Sequence, residues 1–195
     1  MSKLYFRYGA MNSGKSTHLM QVAYNYEERG MKVVLLKPKT DKKGGEKLVS
    51  RLGVERKVDL VISDEDNVLD MVKRYQEING KIDCILADEV QFLKAFQIDQ
   101  LFEIAVVFNI PVICYGLRTD FKMQGFEGSI RLLLLAHSIE EMKTICKCGK
   151  KGVLNGRKIN GRFVFEGEQI AIDNVDNVEY ESLCGDCYFK YKNKI

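Results

Sequence analysis

No stretch of this sequence stays apolar long enough to cross a bilayer. The most apolar run, Ile130 to Ala136, falls far short of the roughly 20 residues that a membrane helix needs. The opening Met1-Ser2-Lys3-Leu4 passes straight into a strand pattern without a signal-peptide h-region, so a cytoplasmic location and no membrane partner are expected. Charge of one sign is scarce as well. The 30 Lys and Arg against 27 Asp and Glu leave a formal charge of +3, and the densest basic runs are only Lys42-Lys43 and Lys147 to Lys151. Such a balance describes a solvated surface and demands no nucleic-acid partner. Internal repeats and low-complexity tracts are absent. The two histidines, His18 and His137, stand alone on expected helices and suit core or surface roles better than metal ligation.

What the chain does have is an ordinary globular composition, 46% hydrophobic and 29% charged over 195 residues, enough for one domain with a small appendage. Its most informative stretch is Gly9-Ala10-Met11-Asn12-Ser13-Gly14-Lys15-Ser16, which fits the phosphate-cradling pattern G-x-x-x-x-G-K-[ST]. The context fits too: Leu4 to Tyr8 reads as a strand leading in, and Lys15 to Arg29 as a helix leading out, closed by Gly30. The glycines let successive N–H groups turn toward one anion, and the helix N-terminus adds partial positive charge. Lys15 would reach the terminal phosphates of ATP, and the Ser16 hydroxyl would ligate Mg²⁺.

Further strands are expected at Lys32 to Lys37, Lys57 to Ile62, Ile82 to Ala87 and Ile110 to Tyr115. Between them lie a polar loop from Pro38 to Gly45, a helix capped by Ser63 and running to Asn79, and a helix from Ala95 to Asn109. Alternation of this kind means a parallel sheet covered by helices on both faces, with ligands at the C-terminal strand ends. At that edge Asp88-Glu89 reads as a Walker B element, the aspartate holding Mg²⁺ and the glutamate placed to take a proton from the attacking hydroxyl or water. Arg51 and Arg118, on loops near the phosphates, could each steady transition-state charge, and solvated surface suits either equally well. Met11, Phe92, Leu117, Phe121, Phe126 and Tyr180 gather on loops around the same edge. Ordinary loop packing and a platform for a flat heteroaromatic substrate both fit them.

From Cys146 onward the pattern turns to glycines and short strands, Arg162 to Glu166 and Gln169 to Ile172. Cys146-Lys147-Cys148 and Cys184-Gly185-Asp186-Cys187 could supply four thiolates to one structural Zn²⁺, stapling a unit too small to hold itself together. Cys84 and Cys114 fall inside strands and read as core.

Taken in order, several motifs resemble the type II thymidine kinases nearly end to end. They are Gly9 to Thr17, Asp88-Glu89-Val90-Gln91-Phe92-Leu93, Cys114 to Phe121, Lys143 to Gly149 and Tyr180-Glu181-Ser182-Leu183-Cys184. The resemblance implies a RecA-like P-loop core, residues 1–143, and a zinc-stapled lasso domain, residues 144–195. It also implies transfer of the ATP γ-phosphoryl to the 5′-hydroxyl of thymidine or deoxyuridine. On that likeness Glu89 would be the general base, and Gly9 to Ser16 with Asp88, Glu89, Val90 and Gln91 would form the ATP site. Met11, Phe92, Leu117, Phe121, Phe126, Ile170, Ile172 and Tyr180 would bind the nucleoside. A homotetramer, feedback inhibition by dTTP and base reading by lasso backbone groups are likewise what the resemblance implies. Three places depart from the family pattern: Asp41-Lys42-Lys43 where Asp-x-Arg is usual, Ile172-Asp173-Asn174 where Ile-Gly-Gly is usual, and the tight Cys146-x-Cys148 knuckle. Two other classes stand beside the kinase: a nucleic-acid-dependent ATPase, since P-loop cores also join zinc ribbons, and a regulatory nucleotide-binding module without catalysis.

Overall fold

The computed structural model describes residues 1–40, 47–49, 53, 55–170 and 177–193. Its elements in chain order begin with β1 (Leu4–Tyr8), α1 (Lys15–Glu27), β2 (Val33–Pro38), β3 (Lys47–Val49), β4 (Glu55–Lys57), β5 (Leu60–Ile62) and α2 (Val68–Asn79). There follow β6 (Cys84–Ala87), a 3₁₀ turn (Val90–Phe92), α3 (Ala95–Val106), β7 (Val112–Gly116), α4 (Glu127–Leu135) and β8 (Ser138–Glu141). The chain closes with β9 (Thr144–Ile145), β10 (Lys151–Gly152), β11 (Leu154–Ile159), β12 (Arg162–Val164), β13 (Val178–Leu183) and α5 (Gly185–Asn193).

The main sheet runs β5-β2-β6-β7-β1-β8 with every pairing parallel. Its two central strands, β6 and β7, carry no charged residue because both faces are covered. Successive side chains of one strand serve opposite faces. Val33 and Leu35 of β2 pack with Leu19, Met20 and Ala23 of α1, whereas Val34 and Leu36 pack with residues of α2, α3 and α4 such as Val72, Leu101 and Leu132. This is the doubly covered parallel sheet expected. Its C-terminal edge collects the loops after β1, β6 and β7, where the sequence motifs lie.

Several local expectations are corrected. The helix expected from Ser63 begins at Val68, capped by Asn67, whose Oδ1 accepts from the Asp70 N–H at 3.0 Å. Ser63 is occupied otherwise: its carbonyl accepts from Gln97 Nε2 at 2.8 Å. The strand expected over Lys57 to Ile62 is split between β4 and β5, since Asp59 turns back to bond β2 through its Oδ2 and the Leu35 N–H at 2.8 Å. The Ile130 to Ala136 run belongs mostly to α4, and His137 lies beyond that helix. There its Nδ1 accepts from the Leu4 N–H at 3.1 Å and its ring stacks on Phe102 at 5.1 Å. Arg162 to Glu166 is a strand only to Val164, and Gln169 and Ile170 lie in bends rather than a strand. The rest of that expected strand, Ala171 and Ile172, falls outside the described residues, as does most of the loop after Pro38.

The late part of the chain forms its own small layer. β11 pairs antiparallel with β12 and β13, β9 with β10, and Leu183, Tyr188, Cys146 and Cys184 bury together with Leu154 and Phe163 against them. The Tyr188 hydroxyl reaches across to donate to the Phe121 carbonyl at 2.7 Å, tying α5 to the core.

Candidate active site

Gly9 starts the phosphate loop where β1 ends, its N–H donating to the Gly116 carbonyl of β7 at 3.2 Å. No other residue fits there. A Cβ on Gly9 would lie 2.3 Å from Ser13 Oγ and 2.5 Å from the Met142 carbonyl oxygen. Gly14, at φ 78, caps α1 in the left-handed region that side chains resist. The buried Lys15 folds over the loop, donating to the carbonyls of Gly9 at 3.2 Å and Ala10 at 3.1 Å. That posture holds an ammonium over the concave side of the loop.

Asp88 follows β6 and faces the first turn of α1. Its Oδ2 accepts from Ser16 Oγ at 3.2 Å, while Oδ1 is buried without a hydrogen-bond partner. Burial, and next the Glu89 carboxylate, push the Asp88 carboxyl up to about 7. A buried carboxylate oxygen with nothing to accept from is costly in itself. Beside a P-loop serine hydroxyl, that orphaned oxygen is the donor set a hard cation such as Mg²⁺ prefers.

Glu89 stands at φ 49, a left-handed conformation that costs a non-glycine residue about 1 kcal/mol or more. Glu89 lines the cavity described below. Gln91 holds it there. The buried Gln91 amide donates through Nε2 to Glu89 Oε2 and accepts through Oε1 from the Leu117 N–H at 3.0 Å. Gly116 makes room for that amide, because a Cβ would come within 2.7 Å of Gln91 Oε1. Val90, between the two, is a buried core residue.

Glu89 opens onto a cavity of about 610 Å³, within the size range of small-molecule sites. Its aromatic and aliphatic walls come from Met11, Phe92, Leu117, Phe121, Phe126, Ile170, Val178 and Tyr180. Six residues expected on loops and Ile170, expected in a strand, are thus brought together, Tyr180 from strand β13 rather than a loop, with Phe92 and Phe126 edge to face at 5.7 Å. Ile172 lies outside the described residues, as does Arg51. Arg118 does not line the cavity; its guanidinium sits 5.2 Å over the Tyr8 ring at the end of β1.

Sequence reading missed four polar members of the wall, Asp120, Asn155, Gln169 and Glu179, and the apolar Val178. Asn155 bridges two loops, accepting from the Met11 N–H at 2.8 Å and donating to the Thr119 carbonyl at 2.7 Å. Asp120 Oδ2 accepts from Gln169 Nε2 at 3.2 Å. Asp120 falls within the Cys114 to Phe121 motif without being singled out there, whereas Asn155 and Gln169 act through partners distant in sequence. His18 lies behind the loop rather than in it. Its Nδ1 is 3.0 Å from the Tyr115 hydroxyl, and burial followed by the Arg7 charge lowers its basicity.

The four late cysteines converge. The sulfurs of Cys146, Cys148, Cys184 and Cys187 all lie within 4.8 Å of one another, Cys148 and Cys184 at 3.5 Å. Tetrahedral zinc with bonds of about 2.3 Å needs sulfurs about 3.8 Å apart, so the set fits that metal. Burial pushes the Cys146 thiol up, but the backbone N–H groups of Cys148 and Cys184 together with the neighbouring thiols bring it down to about 7, while the thiols around Cys187 push that group up. The tight C-x-C spacing is accommodated by Gly149 at φ 83, whose N–H donates to the Cys146 carbonyl at 2.9 Å. Cys84 and Cys114 are buried strand residues, as their pattern implied.

Comparison with known proteins agrees with this geometry. A family model described as thymidine kinase matches residues 2–188. The chain is 44% identical over 189 residues to a thymidine kinase of Francisella tularensis subsp. holarctica, covering 94% of this chain and 95% of that one. It is 45% identical over 186 residues to one of Shewanella oneidensis, covering 94% and 95%. It is 43% identical over 186 residues to one of Enterobacteria phage T4, covering 94% of each.

Proposed function

The chain belongs to the thymidine kinase family, and from that premise we propose how its residues divide the transfer of the ATP γ-phosphoryl to the 5′-hydroxyl of thymidine. The observation that carries the reading is the position of Glu89, on the wall of a largely aromatic and aliphatic cavity beside the phosphate loop.

The cavity takes the nucleoside, its base between the walls formed by Phe92, Phe126, Leu117 and Tyr180, its 5′-hydroxyl toward Glu89. Glu89 accepts the hydroxyl proton as the oxygen attacks phosphorus, and Gln91 keeps the carboxylate aimed. The loop N–H groups from Ala10 to Ser16 and the Lys15 ammonium hold the phosphates and offset charge as it shifts to the leaving oxygen. Ser16 Oγ and Asp88 would hold Mg²⁺, which when bound supplies charge neutralisation at the terminal phosphates. Cover of the cavity by Gln169, Ile170, Val178 and Tyr180 limits water, so that a sugar hydroxyl and not water meets the phosphoryl group. Backbone groups of the lasso reading the pyrimidine edge would reject cytosine, whose donor and acceptor pattern is inverted.

The same reading assigns Zn²⁺ to the four cysteines and divides the chain at 143/144 into a core and a lasso domain. It takes deoxyuridine as a second substrate, dTTP as a feedback inhibitor, a homotetramer as the assembly and the cytoplasm as the location, with neither nucleic acid nor membrane as partner. Either Arg51 or Arg118 would assist at the phosphates.

The test is to mix the protein with Mg²⁺-ATP and each of the four deoxynucleosides and deoxyuridine, and follow monophosphate formation. Product from thymidine and deoxyuridine alone supports the reading. ATP hydrolysis appearing only with added DNA, and no monophosphate, would replace it with the nucleic-acid-dependent ATPase.

A further inference from the structure

We propose that Arg157 is a positioning residue of the nucleoside cavity, its guanidinium clamping both limbs of the late hairpin layer against the Phe121 wall. The inference rests on the reading of that cavity as the thymidine site.

Arg157 lies on β11, paired with Val164 of β12 on one side and Tyr180 of β13 on the other. Its side chain leaves the strand for the interior and is only 4% exposed. Every donor nitrogen finds a partner. Nε donates to the Tyr180 hydroxyl at 3.0 Å, and the two terminal nitrogens to the carbonyls of Glu168 at 2.7 Å and Gln169 at 2.8 Å. The guanidinium carbon lies 3.8 Å from the Phe121 ring centroid and 5.5 Å from that of Tyr180.

One planar group therefore joins three segments that are distant in sequence. Glu168 and Gln169 belong to the limb entering residues 171–176, Tyr180 to the limb leaving them, and Phe121 to the core loop after β7. Phe121, Gln169, Ile170 and Tyr180 all line the cavity, and Arg157 itself does not. Any influence it has on substrate passes through those walls.

The energetics point the same way. No carboxylate among the described residues pairs with this buried cation; carbonyl dipoles, a hydroxyl and a ring face balance it instead. A buried charge is a poor means of gaining stability, since a neutral side chain of similar size often does as well. What the guanidinium offers that a neutral group does not is a rigid fork, able to grip two successive carbonyls while its face stacks on a ring. Lysine keeps the charge but places it at one point, so it cannot make all these contacts together. The exposed ties on the same limb, Lys122 Nζ to the Gly167 carbonyl at 2.8 Å and Gln169 Nε2 to the Gly125 carbonyl at 3.3 Å, bind it to the core but do not reach Tyr180.

The test is steady-state kinetics of the full chain carrying Arg157→Lys, with thymidine and ATP varied separately, alongside Tm and bound-zinc measurements. The expected result is a thymidine KM raised roughly 10- to 100-fold, the equivalent of about 1.4–2.8 kcal/mol of lost binding to the displaced wall. The ATP KM and zinc content should stay near wild type, with kcat within about threefold. Tm should fall by less than in Asn155→Ala, because the freed carbonyls belong to the exposed Glu168 and the partly exposed Gln169 and can recruit water. Tyr180→Phe removes only the hydroxyl that Nε engages. It should raise thymidine KM several-fold alone and add little on top of Arg157→Lys, the non-additivity expected of partners in one network. If Arg157→Lys does not fold, Tyr180→Phe carries the test by itself. An unchanged thymidine KM overturns the proposal. So does a loss shared equally by ATP KM, kcat and Tm, which would mark Arg157 as a general folding residue. Wild-type protein inactive on thymidine would instead sink the substrate reading on which the proposal stands.

Discussion

Replacing Asn155 by alanine tests how the late hairpin layer is joined to the catalytic core. Asn155 is 3% exposed and spends both ends of its amide on backbone groups, the Met11 N–H at 2.8 Å and the Thr119 carbonyl at 2.7 Å. Alanine leaves both without a partner. A buried group stranded in this way costs about 1–3 kcal/mol. Met11 and Thr119 are both only partly covered and can recruit water, so neither share reaches the top of that range. The sum is about 3 kcal/mol, which for a domain of this size lowers Tm by about 6–12 °C. Asn155→Asp should be no milder. It keeps an acceptor for Met11 but sets a carboxylate oxygen against the Thr119 carbonyl and buries a charge. Thermal and urea unfolding of wild type and both variants read the effect directly. A loss below about 1 kcal/mol in Asn155→Ala would refute the reasoning, because both groups would then have found solvent.

Gly9→Ala should weaken ATP binding at least about tenfold, since the added methyl meets backbone at Met142 as well as a movable hydroxyl at Ser13 and the loop must open to admit it. Equilibrium titration with a fluorescent ATP analogue measures this, and unaltered affinity would contradict the packing argument. The zinc site predicts one equivalent of metal per chain, lost in Cys184→Ala. Chelation should loosen the hairpin layer before the parallel sheet, because the cluster around Leu183 and Tyr188 includes two of the cysteines themselves. Hydrogen exchange of β11 to β13 against β1, β6 and β7 separates the two, and equal protection after chelation would count against a structural metal.

Some of this architecture was written locally and some was not. The phosphate loop is legible because its geometry is carried by its own glycines, and β2, β6 and β7 because strands buried on both faces show as continuous apolar runs. The cysteines announce themselves by type alone. Helix α2 misleads because Ser63 and Asn67 are both competent caps. The choice falls to Asn67 once Gln97, from a distant helix, takes the Ser63 carbonyl. α4 and β8 hide for another reason: Leu134 on the helix is largely exposed, and β8 is a short polar edge strand without alternation. Within the site, the apolar wall could be gathered from loop positions. Asn155 and Arg157 could not, because their meaning comes from contacts as remote as the 144 residues between Asn155 and Met11.

The central claim is that Glu89 takes the proton from the nucleoside hydroxyl, and the most direct measurement is turnover by Glu89→Gln. The amide keeps the shape and the contact with Gln91 but cannot accept a proton at neutral pH. A fall in kcat of about 10²-fold or more is predicted, with thymidine and ATP still bound at near wild-type affinity. Turnover within about threefold of wild type would contradict the account and pass the role of base to another group in the cavity.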